Sequence, residues 1–187
     1  MKNLKYALIA ISMVLPFLFP IFSSDFKIFG GLAMNLLVVI LIIRPLTQIF
    51  PQINFFKKLL GLRREMGILC GSFVLTHSSG YFIKTEQFPH ELFSQPNFFT
   101  FENFLVWGVL GVIITILLLI TSNNISVKIL KRYWKTVQRL AYILLIAGSY
   151  HIFYLTDEIT LGSIIESFWR VFIVIIFVSW AEHKRKK

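Results

Sequence analysis

Cysteine occurs once in this chain, at Cys70. A single thiol excludes an internal disulfide and a cysteine-rich metal site. Its place inside an apolar run marks it as a small buried core residue. Acids are also scarce, with nine Asp and Glu against 19 Lys and Arg and a net charge of +10. That charge does not indicate nucleic acid. The basic residues fall in short clusters between apolar runs, and no basic patch interleaves with polar secondary structure. Nucleophile–base pairs, phosphate-binding loops and a flavin dinucleotide fingerprint are all missing, so any NAD(P)H chemistry requires a partner protein. There is no evident repeat and no low-complexity segment. The N-terminal run opens with Lys2 and Lys5 but lacks a small-x-small cleavage site, and Pro16 and Pro20 stand where one would fall. It reads as a first transmembrane helix with a bent or broken outer end, not as a cleaved signal.

What the chain has in abundance is apolar sequence. Hydrophobic residues make up 56% and the mean hydropathy is +0.73. Apolar runs of about twenty residues recur, the length that spans about 30 Å of hydrocarbon. Six emerge, at about 4–22, 29–43, 66–83, 104–121, 137–155 and 161–181. The expected fold is an all-α membrane protein, a single domain over 1–187 built as a six-transmembrane-helix bundle.

Charge orients it. Lys2 and Lys5 precede the first run. Arg44, Lys57, Lys58, Arg63 and Arg64 follow the second, and Lys128, Lys131, Arg132, Lys135 and Arg139 follow the fourth. Lys184, Arg185, Lys186 and Lys187 follow the sixth, so sixteen of the 19 basic residues share one side. The other side holds Lys27, Lys84 and most of the acids, Asp25, Glu86, Glu91, Glu102, Asp157 and Glu158. The excess of positive charge marks the cytoplasmic side and puts both termini there. Only an even number of spans allows this. The longest outer connector, KTEQFPHELFSQPNFFTFEN, is rich in Phe and is expected to lie on the interface or cap the bundle. Its His90 reads as a loop histidine, because nothing nearby completes a metal site.

Two further histidines lie inside apolar runs, His77 in the third and His151 in the fifth. An ionisable residue at that depth is costly and by default signals function. His77 stands 13 residues beyond Arg64 and His151 12 beyond Arg139. At about 1.5 Å per residue each lies roughly 18–20 Å above the inner charges. The two helices point the same way, so the imidazoles reach nearly equal height in the outer half of the membrane. Two readings are open: each histidine hydrogen-bonds a neighbouring helix, or the pair brackets one flat cofactor. Ala147 and Gly148 beside His151, and Gly80 beside His77, leave space for a macrocycle on the second reading, with Gly67 and Gly71 lower down. A bis-His b-type haem takes neutral imidazoles, which removes the need to bury a charge.

Other polar residues carry less. Glu166 and Arg170 stand at i, i+4 on the sixth run, spaced for a salt bridge, with Arg170 also a candidate partner for a haem propionate. Arg63, Arg64 and Arg139 read as topology anchors. Tyr81, Tyr150, Tyr154, Trp169 and Trp180 fit interfacial belts.

Three stretches carry a resemblance. GLRREMGILCGSFVLTHSSGYFI is similar to the Arg-rich start and histidine-bearing third helix of the ferric reductase-like transmembrane family. WKTVQRLAYILLIAGSYHIFYL resembles its fifth helix and GGLAMNLLVVILIIRPL its second. More narrowly, the chain resembles the haem-binding subunits that serve bacterial periplasmic methionine sulfoxide reductases. The resemblance covers residues 5–183 and implies haem b held by His77 and His151 as axial ligands of the iron. It implies electron transport from a quinone pool or flavin donor to a periplasmic acceptor such as a molybdopterin reductase subunit, in the bacterial inner membrane. It also admits FMN. The pattern departs at Gln138, where the family has a histidine, and at Arg63 and Arg64 on the third helix. One haem, in the outer half, follows from that departure, and it leaves a long electron step of about 20 Å from the inner face unless a quinol or flavin docks deeper.

The expected function is therefore a b-type cytochrome subunit, an electron-transfer component of an oxidoreductase system with no bond chemistry of its own. One alternative is direct reduction of ferric or other metal ions at the outer face, with Asp157, Glu158 and the long outer loop drawing cations. A haem-free transporter or scaffold is the alternative of another class. The lipid bilayer is the partner common to all three, and none involves nucleic acid.

Overall fold

The computed structural model describes residues 2–22, 25–86, 89–94, 97–156 and 159–186, and within these the side chains of residues 2, 16–22 and 89 are not described. Asp157 and Glu158, the candidate cation-drawing pair, lie outside the described residues. Among the described residues ten helices run α1 (Lys2–Phe22), α2 (Lys27–Ile49), α3 (Asn54–Leu60), α4 (Arg63–Thr85), α5 (Pro89–Phe93), α6 (Phe104–Ile120), α7 (Asn124–Leu130), α8 (Tyr133–Gln138), α9 (Leu140–Phe153) and α10 (Leu161–Lys186). Among the described residues there is no strand, so the fold is all-α as expected.

The long apolar runs map onto α1, α2, α4, α6, α9 and α10. Among the described residues, α2, α4 and α10 are each long and apolar enough to cross a membrane. The α6–α7 pair, bent by 94°, is a fourth candidate. The bend has a local cause. Thr121 and Ser122 return their hydroxyls to the Leu117 and Leu118 carbonyls, and the Asn123 side chain accepts from Ser126 N at 2.8 Å to begin α7. An N-cap there starts a new helix in a new direction.

Several boundaries differ from expectation: α4 begins at Arg63, α10 runs on to Lys186, and the expected fifth helix is divided between α8 and α9. The second helix does not stop at 43 but runs through Pro45 to Ile49. Proline removes one intrahelical donor, the one the Leu41 carbonyl would otherwise accept from, and the last turn beyond it is tied by side chains. Thr47 Oγ1 donates to the Arg44 carbonyl at 2.8 Å, and Lys184 Nζ on α10 donates to the Ile49 carbonyl. In the first helix the backbone is helical through to Phe22 without the break expected near Pro16 and Pro20.

Packing places α2, α4, α6 and α9 in a ring, each touching the next, so that α4 and α9 face each other diagonally. Outside this ring α1 lies on α4, and α10 lies on α2 and α9. Helix α2 is the most enclosed. Leu37, Val38 and Leu41 join Cys70 of α4, Ile114 of α6, and Leu144 and Leu145 of α9 in one apolar cluster. Small residues allow the close approaches that hold membrane helices together. Gly71 of α4 rests under the Leu119 side chain, and Cys70 Sγ donates to the Ala33 carbonyl at 3.3 Å. Cys70 is thus a buried core residue, as its sequence context indicated. Helix α1 is tied to α4 by Ser72 Oγ donating to the Ser12 carbonyl at 2.7 Å.

The connector between α4 and α6 carries α5 and a set of aromatic rings. Leu92 and Phe98 are buried, while Phe93, Phe99 and Phe101 stay exposed.

Candidate functional site

The diagonal of the ring brings the two intramembrane histidines together. The imidazole centroids of His77 on α4 and His151 on α9 are 6.1 Å apart with planes at 87°. Residues 74 positions apart in the chain meet because α4 and α9 run the same way and carry their histidines at matched height.

Each ring is held by a backbone carbonyl. His77 Nδ1 lies 3.0 Å from the Phe26 carbonyl oxygen, and His151 Nδ1 lies 2.8 Å from that of Phe104. A carbonyl oxygen can only accept, so in both rings Nδ1 carries the proton. In a neutral imidazole Nε2 is then the nitrogen with the free lone pair, the arrangement in which one nitrogen is oriented by the protein and the other can bind a metal. The two carbonyls sit at equivalent places, at the N-terminal starts of α2 and α6.

Each ring is also backed by a glycine. A Cβ at Gly30 of α2 would lie 3.0 Å from His77 Nδ1, and one at Gly108 of α6 would lie 3.0 Å from His151 Nδ1. Any larger residue would press on the ring. The Phe26 and Phe104 rings flank the imidazoles at 5.4 and 5.7 Å. The site therefore has two equivalent halves: carbonyl, glycine and phenyl ring from one antiparallel helix set against histidine from the next.

Gly30 and Gly108 were not singled out from sequence. The available signal was a glycine inside an apolar helix, where it is disfavoured by about 1 kcal/mol relative to alanine and usually has a packing reason. The small residues that were singled out serve otherwise. Gly80 is packed on Phe26 and Gly148 on the Met34 thioether, and Ala147 is buried. They seat neighbouring side chains and do not open a space beside the histidines. Arg170 donates from Nε to Asn35 Oδ1 on α2 at 3.0 Å and stacks on Trp169, and it also interacts electrostatically with Glu166. His90 lies in α5 on the connector between α4 and α6, away from the pair.

The open space is lower down. A cavity of about 580 Å³ lies between α2, α4, α6, α8 and α9, toward the N-terminal ends of α4 and α9. Arg44, Arg63, Arg64, Lys135 and Arg139 line it, so the residues read as topology anchors also wall a site. Its deep end reaches Gly71 and Leu144, six and seven residues below His77 and His151, or about 9–10 Å of helix rise. Gln138 lines the wall and donates from Nε2 to Thr121 Oγ1 at 3.1 Å. Two buried polar atoms of the lining, Glu65 Oε2 and Thr115 Oγ1, have no protein partner.

Comparison with known proteins adds the following. The family model described as "Ferric reductase like transmembrane component" matches residues 29–149, a span that includes His77 and stops two residues short of His151. The chain is 29% identical over 144 residues to the Protein-methionine-sulfoxide reductase heme-binding subunit MsrQ of Agrobacterium fabrum, which covers 74% of this chain and 61% of that protein. It is 25% identical over 162 residues to the protein of the same name from Rhizobium meliloti, covering 84% and 68%. The matched part thus spans about three fifths of the first relative. No solved structure matches the chain.

Proposed function

The chain belongs to the ferric reductase-like transmembrane family, and from that premise we propose that it is a b-type cytochrome subunit of the membrane, with His77 and His151 as axial ligands of one haem. The observation that carries this is the paired imidazole geometry. Two metal–imidazole bonds of about 2 Å, with half a ring on either side, span roughly 6 Å, which fits the 6.1 Å between the ring centroids. The donor set fits as well: two neutral imidazoles, each with Nδ1 committed to a carbonyl and Nε2 free. A bound haem supplies reversible one-electron transfer. The chain's own residues orient the imidazoles through the Phe26 and Phe104 carbonyls, keep their backs clear at Gly30 and Gly108, and flank them with the Phe26 and Phe104 rings.

The direction of electron flow follows from the charge asymmetry. Both termini are cytoplasmic and six spans cross the inner membrane of a bacterium, supported by the basic inner connectors. A quinol or reduced flavin, FMN included, binds the inner cavity and gives electrons upward. The acceptor waits at the outer face. The relatives' name, a heme-binding subunit of a protein-methionine-sulfoxide reductase, supports a periplasmic catalytic partner of that class. The cavity answers the distance difficulty: a donor at its deep end is about 10 Å below the histidines, not about 20 Å. One haem is expected, because Gln138 is a poor iron ligand and is already engaged with Thr121.

Visible spectra of the purified protein test this. Split low-spin bands on reduction, with one haem per chain, are the expected result. A colourless protein expressed with ample haem would sink the reading, and two haems would sink the single-site assignment. Topology has its own measurement. In intact spheroplasts a membrane-impermeant maleimide is expected to label Lys84→Cys, and Lys128→Cys only after permeabilisation. The opposite pattern would invert the orientation.

A further inference from the structure

Glu65 is a carboxylate without an ordinary explanation. It is the third residue of α4, it is 1% exposed, and it lines the inner cavity. Its Oε1 is 3.4 Å from Lys5 Nζ of α1 and 3.6 Å from Arg64. Its Oε2 is buried and has no protein partner. Leaving a buried charged oxygen unmatched costs more than the roughly 1–3 kcal/mol of a neutral group, so a ligand donor is the natural complement. Among the described residues lining the cavity it is the only carboxylate, amid Arg44, Arg63, Arg64, Lys135 and Arg139. Thr115 Oγ1, also buried and unmatched, lies in the same lining.

We propose that Glu65 accepts the proton released by the electron donor in this cavity. The inference rests on the electron-relay reading above, and holds for either donor class. Quinols and reduced flavins share one chemistry: oxidation removes two electrons and two protons. The O–H of a quinol and the N1–H or N5–H of a reduced flavin are lost on oxidation, so a contact from one of these to Glu65 Oε2 favours binding of the reduced donor over the oxidised one. As each electron leaves toward the His77–His151 site, where a bound haem would accept it, the donor's O–H or N–H bond breaks. Its proton forms an O–H bond on Glu65 and its electron pair stays on the ring heteroatom. The carboxyl then returns the proton to inner water at the cavity mouth, which is marked by the exposed Arg64 and Lys135, and is free to take the second. Thr115 supplies the second hydrogen-bonding point for the ring.

The test uses the haem-loaded full chain in detergent, mixed anaerobically with menadiol, with reduced FMN, or with dithionite. Glu65→Gln is expected to slow reduction by both dihydro donors about 100-fold, the scale of positioned acid–base catalysis. The visible spectrum and the dithionite-reduced endpoint are expected to stay the same. Glu65→Asp is expected to recover part of the rate. Lys5→Met removes the tie to α1 but keeps the carboxylate, and should leave the rate near that of the wild type. Equal slowing by Lys5→Met and Glu65→Gln would make Glu65 a helix anchor and overturn the proposal, as would an unchanged rate in Glu65→Gln. Should the Gln variant fail to fold, infrared difference spectra of the wild type decide. A protonated-carboxyl band that shifts on 13C-glutamate labelling must appear with the dihydro donors and not with dithionite; its absence overturns the assignment. A wild-type chain reduced by dithionite but by neither donor would instead refute the donor cavity itself, and Glu65's role with it.

Discussion

Replacing His77 or His151 by alanine is expected to remove haem almost completely, from one per chain to a trace, and to abolish the low-spin spectrum. Each substitution deletes one of the two nitrogens that remain free for a metal once Nδ1 is bound to a carbonyl. With the rings 6.1 Å apart on opposite helices, no other described side chain stands ready to substitute: Met34 is packed on Gly148 and Cys70 is bonded to the Ala33 carbonyl. The fold should survive, because both histidines are only half-buried and the apolar cluster of α2, α4, α6 and α9 lies mostly below them. The measurement is haem per chain together with a size-exclusion profile. A well-folded His77→Ala or His151→Ala protein that kept the wild-type spectrum would refute the ligand assignment.

Gly30→Val and Gly108→Val are expected to weaken haem retention by about 10–100-fold, the range typical when the groups that orient a metal ligand are disturbed. The new Cβ would fall 3.0 Å from Nδ1 of His77 or His151 and 3.1 Å from Cε1. The ring can relieve that contact only by turning away, and turning breaks the hydrogen bond that holds Nδ1 to Phe26 or Phe104. Gly31→Ala is the control, since nothing lies within 4 Å of a Cβ there; it should retain haem as the wild type does. Retention measured through repeated detergent washes separates these outcomes. If the valine variants hold haem as firmly as Gly31→Ala, the glycines are packing residues with no part in positioning the histidines.

These two predictions differ in where they came from. His77 and His151 were legible in the sequence, because a histidine in a long apolar run is conspicuous and helix rise converts its distance from the nearest basic cluster into a depth. Their partners were not. Phe26 and Phe104 act through carbonyl oxygens, which no side-chain pattern encodes, and Gly30 and Gly108 act by having no side chain. Gly80 and Gly148 looked like better candidates by proximity in sequence, yet Phe26 and Met34 fill the space beside them. Similarly, Arg63, Arg64 and Arg139 were read as anchors from their charge alone. Their role as walls of a cavity depends on α2, α4, α6, α8 and α9 converging around a gap. Glu65 is inconspicuous in the sequence because it stands beside Arg63 and Arg64 at the start of a helix, where an acid is ordinary. Only the packing of α1 against α4 buries it.

By itself, then, the sequence determined that the chain is helical and built for a membrane, which side of it is basic, and that two histidines share one depth. Those properties are sums along the chain, of hydropathy, charge and rise per residue, and need no knowledge of neighbours. The tertiary structure alone decided that α4 and α9 face each other across a ring, which carbonyl orients each imidazole, how far α2 runs past Pro45, and that a buried carboxylate and an open cavity lie beneath the histidines. Each of these is set by which helix lies against which, and contacts between distant segments leave no periodic trace in the residues that make them.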